Sequence, residues 1–219
     1  MRKYFKRLLY LFVFSGFSIA FAGSFEDFFS AIRQDNSGAM ERLLKRGFDA
    51  NTKNEKGQPG LLLAIREGST RVIEVLVAWP GTDMDARNLQ DESALMMAAL
   101  KGPPELAARL VKRGADVNKT GWTPLHYAAT AGSLPTIRML LENHAYIDAE
   151  SPNGTTPLMM AAQYGSADAV RLLLAEGADP TLRNQRNFSA LDFAHLSERP
   201  EVMNLIATAQ RKSLPKGAW

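Results

Sequence analysis

The chain has 219 residues, of which 46% are hydrophobic and 22% charged, with no cysteine and a formal net charge of +3. This composition is typical of a folded chain, and the lack of cysteine excludes a disulfide framework and a lipoprotein anchor. Four basic residues lie among the first seven; without residues 1–22 the chain has 22 basic and 23 acidic residues (26 − 4 against 23), a net of −1. Such a near-neutral body does not favour nucleic-acid binding.

Residues 1–22 have the pattern of a secretory signal peptide. A basic segment runs to Arg7, an apolar segment covers residues 8–22, and Ala20-Phe21-Ala22 forms a small-x-small cleavage pattern before Gly23. As a helix the apolar segment would span about 22 Å, less than the roughly 30 Å of a bilayer core. We therefore predict cleavage between Ala22 and Gly23 and a periplasmic protein, with an uncleaved membrane anchor as the alternative.

A heptapeptide pattern organises the rest of the chain. Thr123-Pro124-Leu125-His126-Tyr127-Ala128-Ala129 returns in similar form as Thr156-Pro157-Leu158-Met159-Met160-Ala161-Ala162, an offset of 33 residues (156 − 123). Proline suits the first turn of a helix and the threonine before it suits an N-cap. Gly132 and Gly165 are expected to end each helix, so that a Leu-rich second helix can follow. Period and pattern resemble the ankyrin repeat, which implies an all-α solenoid of helix-turn-helix units with short hairpin fingers.

The leucine of the heptapeptide marks six units. Its equivalents are Phe28, Leu61, Leu95, Leu125, Leu158 and Leu191, at intervals of 33, 34, 30, 33 and 33 residues by subtraction. We predict an ankyrin-repeat domain over residues 23–210, with approximate units 24–54, 55–88, 89–118, 119–149, 150–183 and 184–210. The first and last units differ from the pattern and are interpreted as caps. Residues 211–219 are expected to form a mobile basic tail.

Two departures from the repeat predict local features. The connection between the third and fourth units is three residues short, which predicts a truncated finger. His144 occupies the place of the glycine that ends the other second helices. A left-handed backbone conformation at His144 would cost about 1 kcal/mol relative to glycine.

No constellation of residues predicts catalysis, cofactor binding or a metal site. His126, His144 and His195 lie at non-equivalent positions, and no P-loop or nucleophile elbow is present. In the Thr-Pro-Leu-His pattern, the resemblance implies that the imidazole of His126 bonds to the threonine hydroxyl and nearby backbone. We predict a protein that is not an enzyme, and an enzyme is the least favoured alternative.

The resemblance also implies a binding surface. In ankyrin-like stacks, the residue before the threonine and the pair before the helix-ending glycine line the concave face. Large aromatic residues at such positions are typical of interfaces, although each could instead pack on its own finger. We predict a monomer that binds a protein partner as accessory or inhibitor. The predicted contact residues are Trp122, Tyr164, Phe188, Lys101, Gln163, Thr155, Arg66, Glu67 and Glu92.

Overall fold

The computed structural model describes residues 23–213, and this part of the chain consists of paired α-helices. The first helix, α1, covers residues 23–33. The only β-structure among the described residues is isolated bridges, so the predicted all-α class is confirmed. The other helices are α2 Ser37–Lys45, α3 Gly60–Glu67, α4 Thr70–Ala78, α5 Ala94–Lys101, α6 Pro104–Lys112, α7 Pro124–Ala131, α8 Leu134–Glu142, α9 Pro157–Gln163, α10 Ala167–Ala175, α11 Ala190–Leu196 and α12 Pro200–Ser213.

The chain divides into two compact units, one ending at Asp83 and the other beginning at Met84. The first unit contains α1–α4. In the second unit α5, α7, α9 and α11 pack side by side, while α6, α8, α10 and α12 form a second layer. Leu95, Leu125 and Leu158 are fully buried in the first of these layers. A single helix pair cannot cover its own apolar face, so neighbouring pairs stabilise one another.

The first helices of the second unit share one cap. In each, the backbone N–H of the N-cap residue donates to the side chain three residues later, although the accepting residue differs from helix to helix. The acceptors are the sulfurs of Met96 and Met159, each at 3.4 Å, Nδ1 of His126 at 3.1 Å and Oδ2 of Asp192 at 2.7 Å. His126 is therefore one of four alternatives for the same bond, and its predicted structural role is confirmed.

A ladder of side-chain to backbone hydrogen bonds joins successive repeats within each unit. In the first unit, Oδ1 of Asn51 accepts from the N–H of Asp83 at 2.8 Å. In the second unit three acceptor–donor pairs follow the same rule: Asp85 with Asp116, Asn118 with Tyr146, and Asp148 with Asp179. Each acceptor fixes the start of the next connection, and this sets the register of the stack.

The fourth repeat is three residues shorter than its neighbours, and the difference lies in its finger. The bond from Tyr146 to Asn118 spans 28 residues, three fewer than the 31 between Asp116 and Asp85. The truncated finger is therefore confirmed. Lys119 fills the space and is buried, with its ammonium donating to a carboxylate oxygen of Asp91 and to the carbonyls of Thr120 and Trp122.

The helices end where the sequence predicts, but by two different uses of the backbone. Gly132 has φ +67° and His144 has φ +64°, so both adopt the left-handed conformation. Helix α9 ends at Gln163, so the expected break at Gly165 is confirmed, although Gly165 does not have a positive φ. A Cβ built on Gly165 would lie 2.3 Å from the carbonyl oxygen of Ala129. Glycine is required there because the backbones of α7 and α9 approach closely.

The C-terminal boundary also differs from the prediction. Helix α12 continues through Ser213 and has 14 residues, compared with 9 in α10. Residues 211–213 are thus helical and not part of a mobile tail. Residues 214–219 and residues 1–22, which include the predicted signal segment, lie outside the described residues.

The two uses of glycine predict different mutational costs. Gly165→Ala should lower the free energy of unfolding by about 3 kcal/mol or more, because backbone atoms cannot move away from the added methyl group. Gly177 has φ +98° and open space around it, so Gly177→Ala should cost only about 1 kcal/mol. Urea unfolding of both variants measures the difference, and equal losses would contradict the packing argument.

Candidate functional site

We define the inner face of the second unit as the C-terminal ends of α5, α7, α9 and α11 together with the bases of the preceding fingers. Of the predicted contact residues, Lys101 is exposed here, and Gln163 and Trp122 are half-buried. Tyr164 is 61% exposed and Phe188 is 37% exposed. This face therefore presents large apolar side chains that the core does not cover.

Tyr164 is held on a rigid turn. It is the C-cap residue of α9, and its N–H donates to the carbonyls of Met160 and Ala161. The guanidinium of Arg199 donates to the carbonyls of Ala161, Ala162 and Gly165, at distances from 2.5 to 3.0 Å. The turn that carries Tyr164 is thus fixed before any partner arrives.

Phe188 ends the last finger, and the finger holds its backbone. The N–H of Phe188 donates to Oδ1 of Asn184 at 3.0 Å, and its carbonyl accepts from the N–H of Asn184 at 2.9 Å. The ring contacts Phe193 edge-on at 6.0 Å between centroids. The position of Phe188 is therefore fixed although more than a third of it remains exposed.

Trp122 belongs partly to the fold. Its ring meets the imidazole of His126 edge-on at 5.1 Å, and its carbonyl accepts from Lys119. The alternative interpretation from the sequence, packing on neighbouring residues, thus applies to Trp122 more than to Tyr164. Replacing Trp122 would disturb the core as well as the surface.

His126 is completely enclosed beneath Trp122, and its protonation is set by its partners. Nε2 faces the carbonyl of Thr155 at 2.8 Å, so this nitrogen carries the proton. Nδ1 then accepts from the N–H and hydroxyl of Thr123. Burial lowers the pKa of His126 to about 4, with the nearby charge of Lys119 acting in the same direction. The imidazole therefore stays neutral and has no free nitrogen for chemistry.

Two predicted contact residues are already engaged within the protein. Thr155 is only 2% exposed; its carbonyl accepts from His126 and its N–H donates to Ser151. The expectation that Thr155 lines the face is wrong, because this finger turns its side chain inward. Glu92 is half-buried, with Oε2 accepting from Asn88 at 2.7 Å and Oε1 accepting from the Tyr127 hydroxyl at 3.2 Å. Burial, followed by the charge of Glu92, raises the pKa of Tyr127.

Arg66 and Glu67 lie in the first unit, at the end of α3, and both are exposed. Glu67 lines a cavity in that unit. The other predicted contact residues, from Glu92 onward, belong to the second unit. The predicted set therefore consists of two groups, each in its own unit.

Sequence reasoning missed two exposed leucines in the second unit. Leu196, 64% exposed at the end of α11, lies one period after Gln163 (196 − 163 = 33), so the repeat itself gave the signal. Leu89, 78% exposed, lies at a fingertip where another finger has Glu55. An apolar residue at a turn position that is otherwise polar was the available signal for Leu89.

Residues 23–213 lack two features, a cluster of metal-ligating side chains and a helix that could cross a membrane. Nowhere in residues 23–213 do three or more His, Asp or Glu side chains come together as metal ligands could. None of the helices in that range combines the length and the apolar character that crossing a membrane requires.

The depressed pKa of His126 predicts a pH dependence of stability. The unfolded chain takes up a proton near pH 6.5 while the folded chain does so near pH 4, so the contribution is full above pH 6.5 and is lost as the pH falls to 4. A shift of this size corresponds to at most about 3 kcal/mol in the free energy of unfolding. Denaturant unfolding at several pH values within this window measures it.

His126→Met is the matched control for this measurement, because methionine fills the equivalent position in α5 and α9. The variant should be less stable at pH 7, since the Thr155 carbonyl loses its donor. Its unfolding free energy should depend much less on pH between 6.5 and 4. An unchanged slope would assign the dependence to other groups.

Comparison with known proteins identifies the family. A family model described as ankyrin repeats in three copies matches residues 28–120 and 61–151, and one described as ankyrin repeats in many copies matches residues 140–194. Neurogenic locus notch homolog protein 1 of Xenopus laevis is 30% identical over 124 residues, which is 55% of this chain. The matched part is only 5% of that protein's length.

Two solved structures share the fold. One is a predatory endopeptidase from Bdellovibrio bacteriovorus in complex with an immunity protein; the matching chain has a TM-score of 0.71 and 24% identity, covering 83% of this chain and 97% of that one. The other is an ankyrin repeat protein with a TM-score of 0.71 and 22% identity, covering 83% and 96%. Because the family models together match residues 28–194, more than half of the sequence, the chain belongs to the ankyrin-repeat family.

Proposed function

We propose that this chain is a non-catalytic protein-binding module, exported to the periplasm, that holds a protein partner on the inner face of its second unit. Ankyrin repeats mediate protein–protein interactions, and the export and the face are our inference. The observation that carries the proposal is the exposure of Tyr164, Phe188 and Leu196, at positions that the repeat assigns to one face. Exposed apolar side chains grouped on a rigid surface are typical of contact sites.

The surroundings of these residues suit a binding surface. Gln163 precedes Tyr164 at the end of α9, and Lys101 ends α5, so the same helix ends also carry polar groups, as in the polar rim of an interface. Arg199 and Asn184 fix the turns that carry Tyr164 and Phe188. Such pre-organisation reduces the entropy lost on binding and so increases affinity.

We retain both an accessory and an inhibitory role toward the partner. The inhibitory role is suggested by one solved neighbour, an endopeptidase in complex with an immunity protein. At 24% identity that likeness shows the fold alone. Once a partner enzyme is identified, its activity with and without this chain separates the two roles.

Catalysis is the less favoured function. The ankyrin-repeat fold is typically an interaction module. The most tempting residue for chemistry, His126, is enclosed and uses both ring nitrogens in the cap of α7.

The proposed export predicts the N-terminus and the location of the mature protein. We expect protein from the periplasmic fraction to begin at Gly23, because the Ala-x-Ala pattern precedes it. N-terminal sequencing and cell fractionation test this. Protein that keeps Met1 and stays in the membrane fraction would instead support a scaffold tethered through residues 8–22. Protein that keeps Met1 in the cytoplasm would contradict both.

The proposed face predicts a difference between two tyrosines of similar exposure. Tyr164→Ala should weaken partner binding by about 30-fold, since buried interface tyrosines are often worth 2 kcal/mol or more. Tyr146 is 67% exposed but lies in the connection after α8, so Tyr146→Ala should leave binding unchanged. Affinity capture from periplasmic extract, with quantitative mass spectrometry of the bound proteins, compares the two variants with the unaltered chain.

Both tyrosine variants should keep the thermal stability of the parent chain, because neither side chain lies in the core. Leu196→Ala provides a second, independent change on the same face. The same bound proteins in the same amounts for Tyr164→Ala, Leu196→Ala and the parent chain would show that the partner binds elsewhere.

A further inference from the structure

The last helix pair, α11 and α12, leaves one side without a covering neighbour, and we call this side the end face. Leu191 and Met203 lie on it, and both are half-buried. Each follows its counterpart in the preceding repeat by 33 residues (191 − 158 and 203 − 170). The counterparts one and two repeats earlier are fully buried: Leu158 and Leu125 for the leucine, Val170 and Ile137 for the methionine. Burial is lost in the last pair because no repeat follows it in the described range.

Asp192, the third residue of the end face, shows which way this side points. It occupies the position of His126 in α7, whose Nε2 reaches the following repeat at the carbonyl of Thr155. Oδ2 of Asp192 instead accepts from the hydroxyl of Ser189 at 2.7 Å and from Arg183 at 3.2 Å. These bonds lower the pKa of Asp192, chiefly through Ser189. The end face therefore consists of apolar side chains around one carboxylate that is already paired.

The first helix pair, by contrast, has a polar outer side. The ring of Phe28 faces the second repeat, since a Cβ on Gly60 would lie 2.6 Å from it. The side away from the second repeat carries exposed polar residues of α1 and α2: Asp27, Gln34, Arg42 and Arg46. Terminal repeats of a solenoid need such a polar outer side for solubility. The first pair fulfils this requirement, and the last pair does not.

This difference decides how a second copy of the chain could cover the end face. Head-to-tail stacking would bury Arg42 and Arg46 against Leu191 and Met203, and desolvating unpaired charges is costly. Two end faces that meet each other bury only apolar side chains and internally neutral pairs. We propose that two copies of this chain associate through their end faces. A surface that binds itself gives a closed dimer with a two-fold axis.

The size of the end face limits the strength of this dimer. The two helices have 7 and 14 residues, so they are about 10 and 21 Å long. With a helix diameter of about 10 Å the face measures about 300 Å², less than half of the roughly 800 Å² that each partner contributes to a standard interface. We therefore expect a dissociation constant of about 0.1 mM. The proposal replaces the monomer predicted from the sequence with a concentration-dependent equilibrium.

The dimer does not depend on the function proposed above, but it would affect that function. It carries two inner faces, so a partner with two binding sites would be held by both copies. The second contact is then intramolecular, and the overall affinity rises without any new contact on the inner face.

Sedimentation velocity on the purified full chain tests the association. Concentrations from about 10 µM to about 1 mM cover a tenfold range on either side of the expected dissociation constant. The mass should rise from one copy to two and stop there. A single copy at every concentration would overturn the proposal. Growth beyond two copies would do so as well, because it indicates an open, head-to-tail contact.

NMR of the parent chain with labelled methionine methyl groups locates the contact without any substitution. The methyl signal of Met203 should shift with concentration. Met139 in α8 and Met160 in α9 are also half-buried but lie in interior repeats, so their signals should stay in place. Shifts at Met160 without a shift at Met203 would place the contact on another surface and overturn the proposal.

A charge on the end face should prevent the association. Met203→Glu should weaken the dimer at least tenfold, because two unpaired carboxylates would enter the contact. Met139→Glu is the matched control, and Arg42→Glu tests the opposite end; both should dimerise like the parent chain. An unchanged dimer in Met203→Glu, or a lost one in Arg42→Glu, would overturn the proposal. If Met203→Glu does not fold, the methyl shifts decide. Failure here leaves partner capture through Tyr164 unaffected, because Tyr164 is not part of the end face.

Discussion

Each helix pair in this chain exposes an apolar face that only a neighbouring pair can cover. Leu125 and Leu158, at the same position in successive repeats, are both fully buried by that stacking. Hydrogen bonds such as that from Asp179 to Asp148 link each repeat to the next at a fixed point. Stacking supplies the stabilisation and the ladder supplies the register, so the exposed surface of each repeat is free to vary.

Because stacking and the hydrogen-bond ladder hold the fold, departures from the repeat occur in the fingers and at the helix caps. A finger can lose three residues because the bond from Tyr146 to Asn118 is kept, and Lys119 replaces the missing finger contacts with its own ammonium. The ammonium also lowers the pKa of Asp91, chiefly through the hydrogen bond between them. Likewise, the N-cap bond of the first helices tolerates methionine, histidine or aspartate. The repeat tolerates these changes because it constrains geometry more tightly than residue type.

The architecture could be read from the sequence because its causes are local and periodic. The six helix pairs, the short fourth finger and the left-handed His144 all follow from spacing or from a single residue type. The packing role of Gly165 was not predicted, because it comes from the carbonyl of Ala129 in the preceding repeat. Thr155 was misjudged because its side chain is buried and its hydroxyl accepts a hydrogen bond from Asn184, which its place in the period does not reveal.

The candidate site was harder to predict than the fold, because exposure depends on what each neighbour happens to cover. Trp122, Tyr164 and Phe188 are equally unusual in the sequence, yet Trp122 packs on His126 whereas Tyr164 caps a helix with its ring in solvent. The turn that carries Tyr164 is held by Arg199, yet the ring of Tyr164 itself is not packed against the core. Arg199 ties the end of α9 to the next repeat, so the turn serves the fold, while the ring of Tyr164 that it carries is left in solvent.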